Sequence, residues 1–204
     1  MLGGQKSERP PRPLLFIRRE VYGTFIMEMA EVAGSQNDKS SYPILRFFLG
    51  ERVHPNGKTI HEILNLSAPQ IGPTGGIIQW LFPLTRPSTH VPSAPTLTPY
   101  ELNQFRFDPK LRELYMIGVN RFLEKFAISV NGRTGSIAAD WRTNKKWKFP
   151  SYHAFMPITR ILRSMKLLGF TEESVTLMKL LLLCHKRGGG DVIDKVTLDA
   201  WKHL

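Results

Sequence analysis

Two proline-marked helix starts lie close together in the middle of the chain, and they constrain its fold more than any other feature. Thr98-Pro99-Tyr100-Glu101 places threonine at the N-cap, proline at the first helical position and glutamate where a capping box needs it. Asp108-Pro109 begins a second helix in the same way. The stripe that follows repeats every three or four residues and is expected to face a core: Leu111, Leu114, Tyr115, Gly118, Phe122 and Phe126.

Further helices are predicted on both sides of this pair. Before it, short apolar segments predict helices near 17–32, 42–49, 60–66 and 77–82. After it, the spacing from Ile158 to Leu168 predicts an amphipathic helix, and Thr171 is predicted to cap the next one. That next helix is apolar nearly all round from Val175 to Cys184, which predicts a central position. Asp191 is expected to cap a last helix.

The segments between these helices are rich in proline and glycine. Residues 83–97 carry four prolines and predict an extended crossing. Asn131-Gly132 is a tight-turn signal and favours a small hairpin near 128–140. Residues 1–13 predict a disordered basic and proline-bearing arm. The predicted fold is therefore an all-α, single-domain helical bundle over 14–204 with long proline-rich loops.

Composition narrows the classes of protein that fit. The chain has 204 residues, of which 42% are hydrophobic, enough for one domain with a sizeable core. Its only cysteine, Cys184, excludes an internal disulfide framework and favours an intracellular, cytoplasmic location. The longest apolar run, at 180–184, is far shorter than the roughly 20 residues of a membrane-spanning helix. No transmembrane segment is therefore expected, and the oligomeric state stays open.

Two short motifs resemble known catalytic patterns but lack a required residue. Gly57-Lys58-Thr59 matches the end of a phosphate-binding loop, yet Arg52 occupies the position of its first glycine, so a turn is favoured. His61-Glu62 begins a zinc-protease motif whose second histidine is replaced by Asn65. We therefore expect no metal site and no cofactor.

The charge of the chain leaves a nucleic-acid partner open without favouring it. The formal net charge is +11, and residues 141–171 contain no acidic residue. Trp141, Trp147, Phe149 and Tyr152 lie among the basic residues, as stacking on single-stranded nucleic acid requires. The alternative, which we favour, is a solvated loop whose tryptophans dock on the core.

Four segments, in order, resemble the conserved region of the opioid growth factor receptor family, and the chain is identified as a member. They cover about residues 44–185. They are Phe47-Phe48-Leu49-Gly50-Glu51 with Pro55 to Leu64, Ile78-Gln79-Trp80-Leu81-Phe82-Pro83-Leu84, Pro95 to Thr98 with Asp108 to Arg112, and His153 with Ile158 to Met165 and Leu168-Gly169. The resemblance implies a helical domain built around a ligand pocket. It also implies that nuclear as well as cytoplasmic sites are open to the protein.

The departures from the family pattern point to where this chain has its own specificity. Gly75-Gly76-Ile77 stands where the family usually has a polar triplet, and Pro157 stands where it tends to have a basic residue. If these positions line a pocket, it has become roomier and more apolar; neutral drift in a loop is the equal alternative.

Three functions remain open. The leading hypothesis is a cofactor-free cyclase or isomerase, pericyclase-like, acting on a small apolar molecule of natural-product type by shape and hydrogen-bond donors. Its predicted catalytic donors are Gln79, Tyr115, His153 and Arg160, and its predicted substrate-binding residues are Gly75, Gly76, Ile77, Trp80, Phe82, Phe122 and Phe155. The alternatives are a non-catalytic receptor-like module that binds a short peptide or small ligand, and a basic protein associated with nucleic acid.

Overall fold

Helices dominate the part of the chain that the structure describes. A computed structural model describes residues 41–72, 74–143, 147, 152–188 and 193–204, and for residues 74 and 152–154 the backbone alone. The elements are α1 (Pro43–Phe48), α2 (Ile60–Leu64), α3 (Ile77–Leu81), α4 (Pro99–Phe107), α5 (Pro109–Leu123), β1 (Ile128–Asn131), β2 (Thr134–Ile137), α6 (Tyr152–Leu167), α7 (Thr171–Arg187) and α8 (Lys195–Lys202). The fold is therefore largely helical but not strictly all-α. The predicted arm at 1–13, the predicted helix at 17–32 and Asp191 lie outside the described residues.

The two strands form the hairpin expected near 128–140. They are antiparallel, with Ile128 opposite Ile137. A Cβ atom at Gly135 would lie 2.7 Å from Cδ1 of Leu180 and 2.9 Å from the carbonyl oxygen of Ser129. Only glycine therefore lets the hairpin pack this closely on α7.

The helices pack around one hydrophobic core. α7 contacts both strands and α6, and α6 also contacts α8. On the other side, α4 lies against α5, α1 contacts α4, and α2 contacts α5. The stretch from 83 to 97 crosses between α3 and α4 without helix or strand, as its prolines predict.

Glu101 joins two helix N-termini through a buried carboxylate. The side chain is fully buried. Its Oε2 accepts hydrogen bonds from the Thr98 N–H at 2.9 Å and the Thr98 hydroxyl at 3.0 Å. Its Oε1 accepts from the N–H groups of Ile44 at 2.9 Å and Leu45 at 3.0 Å, in the first turn of α1. First-turn N–H groups have no acceptor within their own helix, so this Glu101 cluster (Ile44, Leu45, Thr98 and Glu101) supplies one from α4.

Two predictions for α7 are wrong in detail. Phe170, and not Thr171, is the N-cap, and no side chain caps the helix. Val175 and Leu182 are 43% and 44% exposed, whereas Leu177 is buried. The helix is therefore amphipathic, because the hairpin and α6 cover only part of its circumference. Within the described residues, no helix is both long and apolar enough to cross a membrane.

Candidate functional site

The predicted site centres on α3, a short helix whose five residues are all buried. Its N-cap, Gly76, has φ 78°, and the preceding Gly75 has φ 74°. Two successive left-handed residues are easily adopted only by glycine. The glycine pair thus turns the chain into a buried helix that Phe82 and Pro83 end.

A buried histidine lies beside this glycine pair. His54 is fully buried, and its Nδ1 accepts the N–H of Asn56 at 3.2 Å. A neutral imidazole that accepts at one nitrogen carries its proton on the other, so Nε2 is a donor. That Nε2 has no hydrogen-bond partner among the described residues.

A buried glutamine amide lies at the same corner of the fold. The Gln79 amide nitrogen donates to Ser88 Oγ at 3.4 Å, and Ser88 Oγ also accepts the Val91 N–H at 3.2 Å. The Gln79 Oε1 has no hydrogen-bond partner in the described part of the chain. A Cβ atom at Gly76 would lie 3.3 Å from Cγ1 of Val91 and 4.0 Å from Nε2 of His54. These contacts define the His54–Gln79 cluster: His54, Gly76, Gln79, Ser88 and Val91.

The His54–Gln79 cluster offers one buried donor and one buried acceptor. A buried polar group without a partner costs about 1–3 kcal/mol, so such groups call for an explanation. A bound group would have to offer His54 Nε2 an acceptor and Gln79 Oε1 a donor.

A second polar cluster lies between α5 and α6. Tyr115 is 1% exposed, and burial raises the pKa of its hydroxyl well above the ordinary value, although the Ser164 hydroxyl and the Arg160 guanidinium oppose the shift. Neither the Tyr115 hydroxyl nor the Ser164 hydroxyl makes a hydrogen bond of normal geometry to a described residue. Arg160 donates through Nε to the Phe82 carbonyl at 2.8 Å, and burial lowers the pKa of Arg160 to about 10. In this Tyr115–Arg160 cluster (Tyr115, Arg160 and Ser164), the arginine remains a cation at neutral pH.

The four aromatic residues among the predicted substrate-binding residues are part of the core. The ring centroid of Phe82 lies 6.0 Å from those of Tyr115 and Phe122, both in edge-to-face geometry. Trp80 packs instead against Phe47 and His54, and Phe155 packs against Phe126, Trp147 and Trp201. All four of these aromatic residues are at most 4% exposed. That they line a ligand pocket stays a prediction.

The structure brings the predicted catalytic donors together only in part. Tyr115 and Arg160 are neighbours, and Gln79 lies in the other cluster with Ser88. Phe82 connects the two clusters, because it follows α3, contacts Tyr115 and accepts from Arg160. His153 belongs to α6, but its side chain lies outside the described residues.

Three polar residues of these clusters were not predicted from the sequence. Ser164 follows Arg160 by four residues, so helical spacing could have placed it on the same face of α6. His54 precedes the matched Pro55 segment, but its burial is not visible in the sequence. Nothing in the irregular crossing at 83–97 marks Ser88.

Two surface hollows lie away from both clusters. One, of about 320 Å³, is lined by α5 residues that include Met116, Ile117 and Asn120. The other, of about 190 Å³, lies between α6, α7 and α8. None of the predicted site residues lines either hollow.

The basic segment at 141–171 does not present its described tryptophans for stacking. Trp141 and Trp147 are 5% and 4% exposed, and their ring centroids lie 5.3 Å apart. The indole N–H of Trp147 donates to the Phe126 carbonyl at 2.8 Å. Both rings dock on the core, as the favoured interpretation of this segment expects.

Reactive groups of other kinds are sparse among the described residues. No three or more His, Cys, Asp or Glu side chains there are placed to hold a metal ion. Burial raises the pKa of the Cys184 thiol to about 11, so the thiol stays protonated at neutral pH and is a poor nucleophile.

Comparison with known proteins gives one family. The opioid growth factor receptor (OGFr) conserved region matches residues 37–194. Opioid growth factor receptor-like protein 1 of Mus musculus and that of Rattus norvegicus are each 31% identical over 153 residues, 72% of this chain and 32% of the relative. The Xenopus tropicalis protein of the same name is 28% identical over 144 residues, 68% of this chain and 28% of its own length. The chain thus spans about a third of the length of these relatives. No solved structure matches.

Proposed function

The chain belongs to the opioid growth factor receptor conserved-region family, and on that premise we propose that it is a non-catalytic, receptor-like module that binds a peptide or small ligand at the His54–Gln79 cluster. The observation that carries the proposal is the pair of buried polar atoms, His54 Nε2 and Gln79 Oε1, without partners among the described residues. The first can donate to a carbonyl and the second can accept from an N–H or hydroxyl. An amide group offers both, so the proposed ligand contains one.

The position of the cluster supports the same proposal. Gly76 belongs both to the cluster and to the Gly75-Gly76-Ile77 segment, where the chain departs from the family pattern. Ser88 and Val91 come from the crossing at 83–97, which has no helix or strand. Moving this crossing breaks few backbone hydrogen bonds, so it is the natural route of ligand entry.

Peptide selection tests the proposal without a known ligand. Random heptapeptides displayed on phage would be selected on the wild-type chain and on three variants. Gln79→Met and His54→Phe each remove one buried polar atom that has no hydrogen-bond partner among the described residues. Ser164→Ala removes a hydroxyl of the same kind outside the proposed site. We expect enrichment on the wild type and on Ser164→Ala, and at least a tenfold lower enrichment on the other two.

A small amide probe covers ligands that the library lacks. N-methylacetamide titrated into the ¹⁵N-labelled chain should shift the His54 side-chain resonances saturably, and Gln79→Met should weaken the response. The proposal is overturned if neither experiment responds on the wild type, or if all variants respond alike.

A second candidate is the cofactor-free cyclase or isomerase predicted from the sequence. The observation that favours it is the Tyr115–Arg160 cluster, where a buried hydroxyl and a half-buried guanidinium lie beside Phe82 and Phe122. Such donors can polarise a carbonyl in an environment without water. This function requires the packed rings to open around an apolar substrate.

An apolar ketone distinguishes this candidate from the first. For the cyclase or isomerase, 1-acetylnaphthalene should produce saturable shifts of the Tyr115 ring resonances, and Tyr115→Phe should weaken binding. Absence of any saturable shift at Tyr115 would remove the candidate. The same titration leaves the peptide proposal intact, because that proposal concerns other residues.

We also propose an intracellular location, either cytoplasmic or nuclear. Its support is the single, buried cysteine, which matches a reducing compartment. A fluorescently tagged chain expressed in its own cells should be found in the cytoplasm or nucleus. Accumulation in the secretory pathway would contradict the proposal.

A further inference from the structure

The hollow between α6, α7 and α8 is an apolar groove with a basic rim. Its floor includes Leu162, Met178 and Trp201, with Val175 at its edge. Lys166 and Lys202 also line it, and no side chain lining it is a carboxylate. We call this hollow the C-terminal groove.

An exposed stripe of α7 begins at Val175, on the edge of the C-terminal groove. Val175, Lys179, Leu182 and Lys186 are all exposed, and their spacing of four, three and four residues places them on one side of the helix. Val175 and Leu182 are 43% and 44% exposed. Two apolar side chains therefore alternate with two cations along about three turns, a pattern that complements an amphipathic helix.

Lysine side chains surround the C-terminal groove, although the Asp199 carboxylate lies beside one of them. Lys202 makes an ion pair with Asp199 at 2.7 Å, but its side chain is still 70% exposed. Lys166 donates to a main-chain oxygen of Leu204 and is also exposed. Lys179 and Lys186 make no ion pair with the described residues. An acidic partner would complement the ammonium groups of Lys179 and Lys186, and the net charge of +11 would attract it from a distance.

The size of the C-terminal groove favours an anchoring side chain over a whole small molecule. Its volume is about 190 Å³. Small-molecule sites usually have about 300–1,000 Å³. A peptide helix needs space for only one or two apolar side chains and makes its other contacts along the flat stripe.

We propose that the C-terminal groove and the α7 stripe (Val175, Lys179, Leu182 and Lys186) form a docking surface for an acidic amphipathic helix of another protein. Apolar side chains of that helix fill the groove and cover Val175 and Leu182. Its Asp and Glu side chains pair with the surrounding lysines. The surface shares no residue with the His54–Gln79 cluster, so this proposal does not depend on the one above.

Binding of a designed peptide tests the surface directly. The probe is a fluorescein-labelled helical peptide of about five turns, with leucines spaced to meet Val175 and Leu182 and glutamates beside them. We expect fluorescence anisotropy to report saturable binding that weakens as salt rises. Lys179→Glu with Lys186→Glu should weaken binding at least tenfold, and Val175→Ser with Leu182→Ser should do the same. All four positions are exposed, so the variants should fold.

The matched control changes charge elsewhere. Lys58→Glu with Lys110→Glu alters the net charge equally on exposed positions away from the groove. Retained binding in this control supports a specific surface, and an equal loss overturns it. The proposal also fails if the peptide with lysine in place of glutamate binds as well. It fails too if duplex DNA or phosphatidylserine vesicles bind more tightly and respond to the same substitutions.

Discussion

The Glu101 cluster and the His54–Gln79 cluster are both buried groups of polar atoms, but they differ in how completely their hydrogen bonds are made. Both oxygens of Glu101 accept from two donors each, and all four bonds measure 2.9–3.0 Å. In the other cluster, His54 and Gln79 each make one bond and leave one polar atom without a partner in the described chain.

This difference separates a structural role from a binding role. Burial makes a satisfied polar network rigid and an unsatisfied one costly. The Glu101 cluster holds α1 against α4 and has no remaining capacity for a ligand. The His54–Gln79 cluster stabilises little by itself and gains most when a partner arrives.

The largest expected effect is the loss of the Glu101 carboxylate. Glu101→Ala leaves the N–H groups of Ile44, Leu45 and Thr98 without an acceptor, so the free energy of unfolding should fall by about 3–5 kcal/mol. Urea denaturation measures the change. Glu62→Ala is the matched control, because Glu62 makes the same capping box with Thr59 at an exposed helix start. A loss for Glu101→Ala no larger than for Glu62→Ala would remove the distinction between the clusters.

A smaller effect is expected from closing the space at the glycine pair. Gly75→Ala should cost about 1 kcal/mol, because an alanine is strained in the left-handed region. Gly76→Ala should cost about 2 kcal/mol, since its Cβ atom would also press on Val91 at 3.3 Å, whereas nothing lies within 4 Å at Gly75. Thermal unfolding of the two variants isolates the Val91 contact. Equal losses would show that the crossing does not close over the His54–Gln79 cluster.

The burial of the Tyr115 hydroxyl can be tested through the pH dependence of stability. Above the ordinary pKa of 10.0, tyrosines of the unfolded chain ionise, while the buried Tyr115 stays protonated because its pKa is raised. The unfolded chain then binds fewer protons, so stability falls as the pH rises above 10. Tyr115→Phe should remove about 1 kcal/mol of that loss between pH 8 and pH 11. Unfolding curves at pH 8 and pH 11 measure this difference, with Tyr100→Phe as the control. The same loss of stability in Tyr115→Phe as in the wild type would contradict the burial of the hydroxyl.

The smallest effect is expected at Gln79. Gln79→Met keeps the volume and removes an acceptor without a partner, so stability should change by less than about 1 kcal/mol or rise. Differential scanning calorimetry measures the shift. A loss of about 2 kcal/mol or more would mean that Gln79 is satisfied in solution, and it would make the two clusters alike.

The sequence predicts local features of this fold well because they depend on neighbours in the chain. The capping box of Thr98 and Glu101 forms as expected, and so does the turn at Asn131-Gly132. The second role of Glu101 was not predictable, since its partners Ile44 and Leu45 belong to a distant segment. The exposure of Val175 and Leu182 was missed for the same reason: a run of apolar residues does not reveal which neighbours cover it.

The candidate site was predicted only where helical spacing or the family resemblance carries information. Gln79, Gly76 and Arg160 lie in matched or divergent family segments. Gln79 and Gly76 belong to the His54–Gln79 cluster, and Arg160 belongs to the Tyr115–Arg160 cluster. His54 and Ser88 were missed, because their role depends on the tertiary position of loops. Burial and hydrogen-bond partners, which distinguish the Glu101 cluster from the His54–Gln79 cluster, exist only in the folded chain.

The Glu101 carboxylate also has a kinetic consequence. It joins α4 to Ile44, which is 57 residues away in the chain. Contacts over such separations form only after the entropy of loop closure has been lost, whereas the α4–α5 and hairpin contacts are local. We therefore expect α1 to dock late in folding. In refolding followed by pulsed hydrogen exchange, the amide protons of α1 should become protected after those of α5.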